Sequence, residues 1–225
     1  MKPYKVFLII LAVLIVDQVV KIWVKTHMIM GEEIVITNWW RLHFTENPGM
    51  AFGMVLPGIW GKLFLSIFRL AAVGGGVWYV LHLLKTKAHW GFVTACSMIL
   101  AGAIGNMIDG AFYGMIFSDS YGKVATLFPH GGGYAGFLHG QVVDMLWFPI
   151  FHGFFPNWLP IWGGEYFEFF RPVFNVADSA ITGGVFIILI FQQYFFVEET
   201  TKAAVGQQQQ STEALPNEEK LSFQQ

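Results

Sequence analysis

Four stretches of the chain stay apolar long enough to cross a bilayer, and polar segments separate them. They cover residues of about 4–23 (YKVFLIILAVLIVDQVVKIW), 63–84, 90–108 and 174–196. A hydrocarbon core of about 30 Å needs about 20 such residues per helix. Lys2 and Lys5 ahead of the first run imitate a secretory signal. Asp17, Gln18 and Lys21 then stand where a small-residue cleavage site should follow, so the run is expected to remain as a span. Residues 33–44 (EIVITNWWRLHF) are β-branched and aromatic and predict one or two short strands, ended by Asn-Pro-Gly at 47–49. Residues 145–170 are aromatic but broken by Pro and Gly, which predicts interfacial structure rather than a fifth span. The Gln- and Glu-rich residues 198–225 predict a disordered tail beyond a four-span domain at 1–197. No internal repeat is visible. The expected fold is an α-helical integral membrane protein with four transmembrane helices, a small β-containing region outside the cytoplasm and interfacial loops.

Composition supports lipid as the solvent. Of 225 residues, 55% are hydrophobic and 12% charged, and a soluble domain carries about 25% charged residues. The net charge of −2, with no basic block, argues against a nucleic-acid partner. One cysteine, Cys96, excludes an internal disulfide and a cysteine-based zinc cluster. The seven histidines form no H-E-x-x-H, no phosphate-binding P-loop is present, and neither a metal nor another cofactor is expected. Lys2, Lys5, Lys85, Lys87 and Lys202 fall on one side of the four spans, which predicts cytoplasmic termini. Residues of about 24–62 and 109–173 are then exterior loops, although these carry Arg41, Lys62, Lys123 and Arg171.

Charged groups near hydrocarbon point to chemistry, because an acid at a span centre costs about 2.5–3.5 kcal/mol. Asp17, Asp109, Asp144 and Asp178 all lie near span ends expected to face outward, or on the loop feeding them. Asn175 and Asp178 share a helix face at i,i+3; an ordinary helix cap with a dipole-complementing acid explains them equally well. Asp144 follows two valines and precedes Met-Leu-Trp, unusual company for a solvated carboxylate. Should the two acids meet, one proton would be shared between them. The ionised member could activate water while the protonated one polarises a peptide carbonyl. Asp17 and Lys21 stand i,i+4 in the favourable order, which also suits a local ion pair.

VDQVVK (16–21), ENPGMAFG (46–53), GAIGNMID (102–109), VVD (142–144) and FNVADSAI (174–181) follow one another along the chain. Together they resemble the five signature blocks of signal peptidase II, the lipoprotein signal peptidase of bacterial membranes. The resemblance implies an aspartic endopeptidase that removes signal peptides from diacylglyceryl-modified prolipoproteins, N-terminal to the lipidated cysteine. It further implies a location in the cytoplasmic (inner) membrane, with the site near the extracytoplasmic leaflet. Asp144 and Asp178 match its catalytic pair. Asn175 and Ala177 match the residues beside the second aspartate, and Asn47, Gly49, Ala51 and Phe52 match the loop at the substrate cleft. Gly105 and Asn106 match the polar end of the third span, and Asp17 and Lys21 the charges at the exit of the first. The expected partners are the lipid-modified substrate and membrane lipid, and a monomer is expected.

The chain departs from the family in two ways. Gly110 follows Asp109 where the family usually has arginine, and Arg171 is a candidate replacement. Residues 110–141 and 145–173 resemble insertions. Two other classes compete. One is a proton-coupled carrier with Asp17, Asp109 and Asp178 as a relay, needing acids near mid-membrane and access from both sides. The other is a structural membrane subunit.

Overall fold

Long runs of Leu, Ile, Val and Phe without interior proline form the helices. The structure, a computed structural model, describes residues 1–48 and 58–213. Helix α1 spans Pro3–His27, with its proline in the first turn, where the missing N–H costs nothing. At 25 residues it is about 38 Å long, enough to cross hydrocarbon. Strands β1 (Glu33–Thr37) and β2 (Trp40–Asn47) follow, then α2 (Gly58–Lys85) and α3 (Trp90–Ile108). The nitrogen Nδ1 of His89 caps α3 by accepting from the Gly91 N–H at 3.2 Å. α3 continues through a π-helical turn, Asp109–Tyr113, into the short α4, Gly114–Ile116. Strands β3 (Val142–Trp147), β4 (Phe151–Phe154) and β5 (Tyr166–Phe169) precede α5 (Val176–Glu213).

Four segments are long and apolar enough to cross a membrane: Pro3–His27, Leu63–Lys85, Trp90–Ile116 and Val176–Phe195. α3 lies at the centre, with 50% of its apolar window buried against 11–17% for the others. The outer helices therefore turn Leu8, Val16, Phe64, Phe68, Trp78 and Ile190 outward. Such surfaces need lipid. Inside, Val73, Val80, Leu83, Phe92, Val93, Leu100 and Phe195 form one core. A second core of Val24, Met28, Phe44, Tyr113, Phe117, Val143 and Met145 ties the end of α1 to the sheet.

Strands β1, β2 and β3 form an antiparallel sheet in that order. Thr45 pairs with Asp144 and Asn47 with Val142, so the register brings the end of β2 beside Asp144. β4 and β5 pair separately as a hairpin within the aromatic segment expected at the interface. Its turn exposes Trp158 and Ile161, and the hairpin is tied to the start of α5 by the stacked rings of Phe148 and Phe174.

One expectation changes. The tail expected to be disordered from 198 is helical to Glu213. Its Glu, Lys, Ala and Gln residues favour helix, and extending an existing helix avoids the cost of nucleation. Residues 214–225 lie outside the described residues. Within the glycine run of α2, Gly74, Gly75 and Gly76, only Gly76 abuts another helix, where an added Cβ would lie 3.0 Å from Leu100 Cδ1.

The close contacts are between α3 and α5. A Cβ at Gly102 would run into the Ala177 carbonyl oxygen, and one at Gly184 would lie 2.6 Å from that of Ala95. Backbone cannot retreat as a flexible side chain can. Gly102→Val is therefore expected to destabilise the protein by about 1–3 kcal/mol or more through overpacking. Gly75→Ala, which meets nothing within 4 Å, is expected to leave stability unchanged. Thermal unfolding of both variants in detergent checks the pair.

Candidate active site

Asp178 reaches the site through the first turn of α5. Asn175 caps that helix, its Oδ1 accepting from the Asp178 N–H at 2.8 Å, and Asp178 Oδ2 accepts in return from the Asn175 N–H at 3.3 Å. This reciprocal capping box fixes both side chains at once. The ordinary cap that the sequence allowed is present, and it does not exhaust what Asn175 does. The amide nitrogen Nδ2 of Asn175 also donates to Asp144 Oδ1 at 2.7 Å, which joins the loop before α5 to β3.

Asp144 is buried in β3. Its second oxygen accepts from Asn47 Nδ2 at 3.2 Å, as the β2–β3 register requires. Asp178 Oδ1 accepts from Asn106 Nδ2 at 2.8 Å, and Asn106 Oδ1 accepts from Asn175 Nδ2 at 3.1 Å. The two carboxylates are thus linked through Asn175 and Asn106. Burial, and then the negative charge of Asp178, push the Asp144 carboxyl up to about 7, while the amides of Asn47 and Asn175 pull the other way.

Behind this pair lies a buried ionic cluster. Lys21 is fully buried and contacts Asp17 at 2.9 Å, Asp109 at 2.8 Å and Asn106 Oδ1 at 2.9 Å. Asp17 Oδ1 accepts from the Ala177 N–H at 2.8 Å, so α1 also caps the first turn of α5. A Cβ at Gly105 would lie 2.7 Å from Asp17 Oδ2, which makes glycine the condition for this approach. Asp109 opens the π-helical turn and accepts from Gln18 Nε2 at 3.0 Å and from the Val143 N–H at 3.3 Å. Such turns recur at functional sites because they re-aim side chains out of helical register.

The fold thus gathers Asp17, Lys21, Asn47, Gly105, Asn106, Asp144, Asn175, Ala177 and Asp178 at one end of the bundle. Gly49, Ala51 and Phe52 lie outside the described residues. Arg171 is exposed and among the described residues forms no ion pair, so it does not replace the missing arginine. The guanidinium beside Gly110 is that of Arg69 on α2, which sequence reasoning missed.

A second buried cluster was also missed. Lys25 pairs with Glu46 and donates to Ser120 Oγ at 2.9 Å, and its Nζ lies 5.0 Å from the Tyr134 ring centroid. The signal was present in part, since Asp17, Lys21 and Lys25 repeat every four residues on one face of an otherwise apolar helix.

The chain is similar to known proteins. The family model described as signal peptidase (SPase) II matches residues 9–195. A lipoprotein signal peptidase of Porphyromonas gingivalis is 52% identical over 182 residues, covering 80% of this chain and 79% of the relative. One from Amoebophilus asiaticus is 38% identical over 192 residues, covering 84% and 77%. A bacterial membrane enzyme solved by the in meso method at 1.9 Å superposes with a TM-score of 0.54 at 26% identity, covering 84% of this chain and 92% of that one. With a family match across most of the chain and relatives this similar, the protein belongs to the signal peptidase II family.

Proposed function

We propose that Asp144 and Asp178 are the catalytic pair of this membrane aspartic peptidase, which cleaves the signal peptide from prolipoproteins. The observation that carries the assignment is the linkage of two carboxylates from β3 and α5 through Asn175 and Asn106, with the Asp144 carboxyl pushed up to about 7. Near neutral pH, Asp144 can hold a proton, which leaves Asp178 the role of base. Asp178 takes a proton from water, and the resulting hydroxide attacks the scissile carbonyl carbon. Asp144 donates its hydrogen bond to the carbonyl oxygen as charge develops there. Collapse of the tetrahedral intermediate breaks the C–N bond, and the proton held by Asp178 passes to the leaving nitrogen.

Family membership and the gathering of the acids at one end both speak against the proton-coupled carrier. The site lies at the extracytoplasmic leaflet and both termini are cytoplasmic, a reading supported by the lysines at the opposite end, Lys2, Lys5, Lys85 and Lys87. There the diacylglyceryl chains of a substrate stay in hydrocarbon while its peptide reaches the dyad. Gly49, Ala51 and Phe52 follow within five residues of Asn47 and contact the substrate. The protein works as a monomer, with membrane lipid around it.

Purified protein in detergent is expected to cleave a diacylglyceryl-modified prolipoprotein and to leave the unmodified precursor largely intact. Asp144→Asn and Asp178→Asn should each lower kcat by about 10³-fold or more with the protein still folded. Rapid turnover by either variant, measured by gel shift of the product, would remove the dyad assignment.

The pH profile supplies a separate check. As pH rises through about 7, Asp144 loses its proton, so turnover should decline on the alkaline side. Asn47 donates to the Asp144 carboxylate and favours its ionised form. Asn47→Ala should therefore move the alkaline limb to higher pH. A limb that stays in place or moves down would contradict the assigned role of Asn47.

A further inference from the structure

Gly110 is buried at the second position of the π-helical turn, next to Asp109. A Cβ built there meets one atom within 4 Å, the Arg69 guanidinium nitrogen at 3.8 Å. The direction in which a side chain at 110 would grow thus leads to a guanidinium delivered from another helix. Arg69 is half-buried on α2 at a position where its helix neighbours Phe68 and Leu70 are exposed to lipid. A charge on a membrane span is retained at a cost, and it turns inward toward a partner. Asp178, Asp109 and Asp144 lie within electrostatic reach of this one. Lys21, by contrast, is bound directly to Asp17 and Asp109.

We propose that Arg69 is the positioning cation of the site, reaching from α2 into the space that a side chain at Gly110 would fill and holding Asp178 and Asp144 as a pair. The inference rests on the reading of these two acids as the catalytic pair. Its charge offsets the single negative charge of a dyad that shares one proton, and its planar fork limits how far Asp178 can swing away from Asn106. It also couples α2 to the chemistry.

The test is a transplant. Arg69→Gln should lower kcat by about 10²-fold, the scale of removing one preorganised electrostatic group, with KM changed less than about threefold. Arg69→Lys keeps the charge without the fork and should fall between wild type and Arg69→Gln. In the double variant Arg69→Gln with Gly110→Arg, the guanidinium returns to the same space from α3, and kcat should recover at least about tenfold over Arg69→Gln alone. A purely structural role for Arg69 on α2 would not be rescued from position 110.

Wild-type kcat in folded Arg69→Gln would overturn the proposal. So would a folded double variant no faster than Arg69→Gln. Should Arg69→Gln fail to fold, Arg69→Lys decides: kcat reduced with unchanged melting supports the proposal, and unchanged kcat refutes it. Asp144→Asn and Asp178→Asn run alongside. If those retain turnover, the assignment of the dyad fails. If they are inactive and Arg69→Gln is not impaired, the role of Arg69 alone fails.

Discussion

One buried ammonium sets the geometry on which the rest of the site depends. Lys21 has three protons to donate and no water to donate them to, and it gives them to Asp17, Asp109 and Asn106. An ammonium cannot accept, so the Asn106 side chain must turn its oxygen toward Lys21 and its amide nitrogen toward Asp178. The same oxygen takes a bond from Asn175, whose own oxygen caps α5. The orientation of both amides is therefore dictated from the cation outward. Removing one member of such a cluster leaves an uncompensated charge in a low-dielectric interior, which is far costlier than losing a surface ion pair.

Burial separates the roles of the acids. Asp17 and Asp109 spend their oxygens on Lys21, Gln18 and backbone N–H groups of Ala177 and Val143, so they work as fasteners between elements. Asp144 and Asp178 receive side-chain amides, and Asp178 also accepts the Asn175 N–H that closes the helix cap. Four carboxylates near one another thus divide into two that fasten elements together and two whose oxygens are held mainly by side-chain amides. The aromatic hairpin β4–β5 lies between β3 and α5, the elements that carry the dyad. With Trp158 and Ile161 exposed at its turn, its surface is least costly at headgroup depth.

The spans were legible because lipid imposes one simple rule on length and polarity, and the residues that meet around Asp144 and Asp178 because short motifs kept their order. What escaped was pairing across distance. Nothing local in the first span says that Asp17 will accept from Ala177, 160 residues later, or that Lys25 will meet Glu46 and Ser120. β3 was missed because Val142, Val143, Asp144 and Met145 are all buried, so the run shows no alternation of apolar and polar positions. Arg69 looked like an ordinary charge in a span, and only the open space at Gly110 reveals its direction.

The polar stripe on α1 also bears on how the protein is made. This helix leaves the ribosome before the other three spans, and although Asp17 and Lys21 can pair at once, the partners of Gln18, Lys21 and Lys25 on later segments have yet to be translated. Asn106 comes 85 residues after Lys21, and Ser120 comes 95 after Lys25. Held alone in hydrocarbon, each charged residue at depth would cost about 2.5–3.5 kcal/mol, so early residence favours the headgroup boundary or the insertion machinery. The third helix then brings Asp109 and Asn106 to Lys21, so burial of the first helix's charges depends on segments made later.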